Sequence, residues 1–169
     1  MQRFIALGLA LYSFIVIKMS IPRLPARIPT HYNAAGDADG WGSPDMLWTL
    51  LLAQVSVGGL FLVIPLLGRY FPGMVNIGSR KLTDFAPEQQ ERITLLFTDM
   101  MGYMSVLVSL LLCVLIRGTI SAASSEHPHF APWWVLGIFL AGTAATAIYY
   151  SIRMFAVTNE TRKGSPGGT

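Results

Sequence analysis

The sequence predicts an all-α integral membrane bundle of four transmembrane helices, with an irregular extracytoplasmic loop between helices 1 and 2. Two observations point there. Apolar residues make up 53% of the chain and charged residues only 12%, about half the charged share of an ordinary globular domain. The deficit is also segmented, with uncharged runs of 23 residues from Met46 to Gly68, 21 from Pro132 to Ile152, 17 from Met100 to Ile116 and 14 from Phe4 to Ile17. A hydrocarbon core of about 30 Å takes about 20 helical residues, so each run suits one crossing. A soluble bundle would carry a polar stripe along every helix. None is present.

Helix 1 is expected over residues 3–21, with Lys18 snorkelling to the interface. Lys18, Met19 and prolines stand where a signal peptide would need small residues, so this helix reads as uncleaved. Helix 2 is expected over 44–69, with Ser43 as N-cap, Pro44 in the first helical position and Asp45 complementing the dipole. Phe71-Pro72-Gly73 ends it. Helix 3 should start near Pro87-Glu88, outside the hydrocarbon, and end near 117; helix 4 should span 132–154. One transmembrane domain thus covers 1–163, with a cytoplasmic loop at 69–98, and the glycine-rich tail 164–169 is predicted to be disordered.

Basic residues set the orientation. Arg3, Arg69, Arg80, Lys81, Arg92, Arg153, Arg162 and Lys163 share the side of the termini, against Lys18, Arg23, Arg27 and Arg117 opposite. Eight against four predicts cytoplasmic termini in a prokaryotic plasma (inner) membrane. Trp133 and Trp134, with Tyr149 and Tyr150 about 24 Å along the helix, suit the two interfacial belts. The net charge of +3 is spread rather than clustered, so nucleic acid is not expected as a partner. The single Cys113 excludes an internal disulfide and a cysteine zinc cluster.

Small residues spaced by four (Ala6 and Ala10, Ser105 and Ser109, then Gly137, Ala141 and Ala145) are expected to make bundle contacts, since lipid gives helices no hydrophobic reason to associate. Gln54 should bond a neighbouring helix from inside helix 2, and Asp99 should sit at the cytoplasmic interface.

The segment 22–45 is the one stretch specialised beyond apolar packing. Pro22, Pro25 and Pro29 favour extended backbone, and Gly36, Gly40 and Gly42 favour tight turns. Pro25, Pro29, His31, Asn33, Gly36, Asp39, Trp41 and Gly42 are the candidate binding or structural residues. His31 is expected to bond loop backbone or Asn33, Gly36 to hold positive φ, and Asp37 to be solvated. A metal site would need His31 to meet Asp37 or Asp39 together with His127 or His129. The short third loop is expected to stay apart from the first, so no metal or other cofactor is predicted. No G-x-S-x-G elbow, phosphate-binding glycine motif or cysteine–histidine pair suggests catalysis.

The run Leu24-Pro25, Ile28-Pro29, His31-Tyr32-Asn33, Gly36, Asp39 and Gly40-Trp41-Gly42-Ser43 resembles the signature of domain-of-unknown-function family 1648, also found as the N-terminal unit of SdpI-type bacterial immunity proteins. Val75-Asn76-Ile77, Arg80 and Ala86-Pro87-Glu88 are similar to the cytoplasmic segment of its short members. Gly78-Ser79 and Pro44 depart from that pattern, and the C-terminal unit of the immunity proteins is not seen. The resemblance implies a small multi-spanning membrane protein without an established catalytic activity. The expectation is a non-enzymatic protein whose rigid loop recognises a lipid, another membrane protein or a peptide toxin. The alternative is a small transporter or ion-responsive sensor using the extracytoplasmic His and Asp residues.

Overall fold

A computed structural model of the chain describes residues 1–131 and 133–163; the expected disordered tail lies outside them. The order is α1 (Gln2–Ser20), β1 (Ile28–Tyr32), β2 (Ala38–Gly42), α2 (Met46–Tyr70), β3 (Asn76–Ile77), β4 (Arg80–Lys81), α3 (Pro87–Ala123) and α4 (Trp133–Lys163). All four helices are long and apolar enough to cross a membrane. The chain is a multi-pass membrane protein.

α3 is the central helix. α1, α2 and α4 all pack along it, whereas α1 and α2 touch each other much less. Its 37 residues make about 55 Å of helix, well beyond the hydrocarbon core. Pro87 opens it as expected, with the Gln89 side chain accepting from the Ala86 N–H at 3.3 Å. It runs six residues past the expected end, and α4 runs nine past its own. Hydropathy reports membrane thickness, whereas packing decides helix length. Val157 of α4 is buried with Leu82, Phe85 and Ile93, the Gln89 amide donates to the Val157 carbonyl at 2.8 Å, and Arg92 grips Glu160 through two bonds.

α2 runs unbroken through Pro65, although that residue has no N–H to give the preceding turn. Its start is displaced from the expected position. Ser43 makes a tight turn onto Asp45 instead of capping the helix, accepting from its N–H at 3.3 Å, and Asp45 becomes the N-cap.

Packing comes from three layers. At the hairpin end Ile17, Ile28, Leu47, Ile116 and Ala123 form an apolar cluster; at the end of the termini the Leu82 cluster forms another. Between them lies a buried polar seam of Ser13, Gln54, Ser105 and Ser109. Gln54 bonds a neighbouring helix as expected, donating to the Ser109 carbonyl at 3.5 Å, and Ser105 donates to the Gly58 carbonyl at 3.0 Å. Asp99 is exposed, three residues before Gly102, against which Gln2 at the start of α1 packs.

One expectation about the bundle fails. Gly137, Ala141 and Ala145 face outward, and a Cβ on Gly137 would meet nothing within 4 Å. The α4 glycine that meets α3 is Gly142, whose added Cβ would touch Leu107 at 3.4 Å. Spacing by four selects a face without saying which way it turns.

Candidate functional site

The segment expected to be an irregular loop contains a short antiparallel hairpin, with Ile28 opposite Gly42, Pro29 opposite Trp41, His31 opposite Gly40 and Tyr32 opposite Ala38. The register breaks on both sides of His31. A bulge suits this place, because Pro29 has no N–H for a regular ladder. Ile28 and Pro29 are buried and root the hairpin on the helix ends; Pro25, just before it, is exposed. Gly42 brings the second strand against the Thr30 side chain, where an added Cβ would stand 2.9 Å away.

Asn33 builds the hairpin turn. Its side-chain oxygen accepts from the N–H groups of Ala35 at 2.9 Å and Asp37 at 3.0 Å, the geometry of an Asx turn. Its backbone N–H donates to the Asp37 carbonyl at 2.9 Å. Gly36 closes the turn at φ +95, as expected, in a region that an L side chain tolerates poorly.

The third loop closes over this turn, contrary to expectation. The Ala38 N–H donates to the Pro128 carbonyl at 3.3 Å, and the Phe130 N–H donates to the Gly36 carbonyl at 2.9 Å. Asp37 and His129 form an isolated antiparallel bridge, and the His129 ring bonds the Asp37 carboxylate at 3.2 Å. The Trp133 indole donates to the Ala34 carbonyl at 3.0 Å. The physical reason is the length of α3. Its extra turns carry the third loop out to the level of the hairpin, and Phe130 settles there between the Tyr32 ring and Gly118. Asp37 is therefore exposed but not free.

His31 also departs from expectation. Its Nδ1 bonds the Asp39 carboxylate at 2.5 Å instead of loop backbone or Asn33. Both side chains are open to solvent, 74% for His31 and 46% for Asp39. Trp41 is exposed beside them, its carbonyl accepting from Arg27 at 3.4 Å. The two His–Asp pairs stay separate. Among the described residues no group of three or more metal-ligating side chains converges.

Tyr32 lies beneath the clamp. Its hydroxyl oxygen is shielded from solvent and, among the described residues, reaches no partner in good geometry. Burial pushes this hydroxyl above its ordinary value, while Thr119, close by, draws it partly back.

The structure brings His31, Asp39 and Trp41 to the outer face of the hairpin, and uses Pro29, Asn33, Gly36 and Gly42 to build it. Sequence reasoning missed Phe130, Gly118 and Trp133 as parts of the clamp. Their one local signal is an aromatic pair placed directly after the third loop. Residues 8–55, from within α1 through the hairpin into α2, match the family model described as a domain of unknown function, DUF1648. The chain thus carries a DUF1648 domain. No curated protein and no solved structure matches the chain.

Proposed function

We propose that this DUF1648-bearing membrane protein is a non-enzymatic recognition protein of a prokaryotic inner membrane, with cytoplasmic termini and the hairpin outside. The observation that supports this is the clamp. The turn is held from two directions, by the third loop and by Trp133, which leaves His31, Asp39 and Trp41 presented on a fixed outer face. Preorganised groups lose less entropy on binding, and an exposed Trp beside Arg27 has the residue types of an interface anchor. A peptide, such as a toxin, or the outer segment of another membrane protein fits this surface. A photocrosslinking residue in place of Trp41 should give one discrete protein adduct in cells, lost on His31→Ala with Asp39→Ala. The same probe at lipid-facing Leu52 should give lipid adducts alone. Identical patterns at the two positions would remove the recognition role.

The alternative, an ion-responsive sensor or transporter, has the two exposed His–Asp pairs in its favour. It requires ligands from a third residue. One zinc ion held per purified chain and lost on His31→Ala would establish it over recognition, which expects no stoichiometric zinc.

A further inference from the structure

The other end of the molecule holds a cavity of about 1160 Å³ between α2, the β3–β4 hairpin, α3 and α4. It arises because α2 and α4 both pack on α3 but scarcely on one another. Its inner walls are apolar, built by Phe97 and Met100 of α3, Met154 and Phe155 of α4, and Ile77 of the hairpin. Met100 begins an uncharged run, so the inner end reaches hydrocarbon depth. The hairpin end adds Asn76, Ser79 and Arg80, the last being the sole charged residue of the lining among the described residues.

Arg80 is placed but not neutralised. It donates to the Asp84 carbonyl at 3.0 Å and lies 4.2 Å over the Phe85 ring. The Asp84 carboxylate instead accepts from the Lys81 backbone N–H at 2.8 Å. Among the described residues Arg80 makes no ion pair. A guanidinium held at the mouth of an apolar slot matches an amphiphile with one negative head and an apolar tail. The volume exceeds the about 300–1,000 Å³ usual for small-molecule sites. At that depth the bilayer itself supplies acyl chains.

We propose that this cavity binds one anionic phospholipid, with an acyl chain along Phe97, Met100 and Met154 and the phosphate on Arg80. The test reconstitutes the chain in equimolar phosphatidylglycerol and phosphatidylcholine and reads retained lipid by native mass spectrometry. One phosphatidylglycerol per chain is expected, favoured about fivefold, the worth of one basic residue near an anionic headgroup. Arg80→Gln should abolish the preference, while Arg80→Lys and Arg23→Gln, the latter at the opposite end, should keep it. Thr94→Trp should reduce retention of both lipids by filling the cavity; Ile77→Trp serves if that chain fails to fold. Equal retention of the two lipids, a preference that survives Arg80→Gln, or displacement by inorganic phosphate at matched ionic strength would overturn the assignment.

Discussion

A Cβ added to Gly36 would stand 2.7 Å from the imidazole Cε1 of His129, a residue 93 positions away on another loop. The tip of the hairpin and the third loop therefore meet at a contact that only a glycine permits. The same glycine has φ +95, so two independent requirements fall on one residue.

Gly36→Ala should destabilise the folded protein by at least about 1–2 kcal/mol, the cost of an L side chain at positive φ, with the displaced His129 adding to it. Asp37→Ala should cost less than about 1 kcal/mol, because its bond to His129 is exposed to solvent. Thermal unfolding of the two purified variants in one detergent compares them. Equal losses would mean that the backbone of the turn is not what holds the clamp.

Gly118 and Gly137 form a matched pair in the helices. A Cβ at Gly118 would lie 2.4 Å from the Phe130 ring, whereas one at Gly137 would meet nothing within 4 Å. Gly118→Ala should cost about 1–3 kcal/mol through overpacking. Gly137→Ala should be neutral or slightly stabilising, since alanine favours helix. A proteolysis assay cutting in the third loop should find it opened by the first change and closed in the second.

Tyr32 sets an alkaline limit. Its hydroxyl, raised above 10.0 by burial, holds its proton more tightly folded than unfolded. The stability this contributes is fully present below about pH 10 and is lost as pH rises through the folded value. Unfolding midpoints should therefore fall above pH 10, and less steeply in Tyr32→Phe. At neutral pH that variant should lose little, because it removes a shielded oxygen that has no partner in good geometry among the described residues. Identical alkaline profiles for the two proteins would contradict this role for Tyr32.

The proposed orientation rests on eight basic residues at the end of the termini against four at the hairpin end. Reporter fusions after Thr30 and Ser125 should be active outside the cytoplasm, and a fusion after Lys81 inside. A cytoplasmic signal after Thr30 would reverse the orientation and put the recognition surface on the other side.

The helices were legible because their causes are local. Uncharged runs marked the crossings, Pro87 marked the start of α3, and the turn residues around Gly36 marked the bend in the first loop. Gln54 was legible for a related reason, since an amide inside lipid must find a partner. The clamp was not. Trp133 reaches Ala34 across 99 residues, and Phe130 finds Gly118 only because α3 continues past Arg117, where its hydropathy fades. The outward stripe of Gly137, Ala141 and Ala145 was misassigned because rotation about a helix axis is fixed by neighbours, not by spacing.

The central place of α3 has a consequence for biogenesis. Synthesis proceeds from the N-terminus, so α1, the hairpin and α2 reach the membrane before their main packing partner has been made. Ile28 then lacks Ile116, Gln54 lacks the Ser109 carbonyl, and the Asn33 turn lacks Phe130 and Trp133. A chain stopped at Tyr70 would contain the whole of the matched segment 8–55 and still be an unfinished object, open to the proteases of membrane quality control. The unit recognised by sequence similarity is thus smaller than the unit that matures, which closes only after α4 has begun to enter the bilayer.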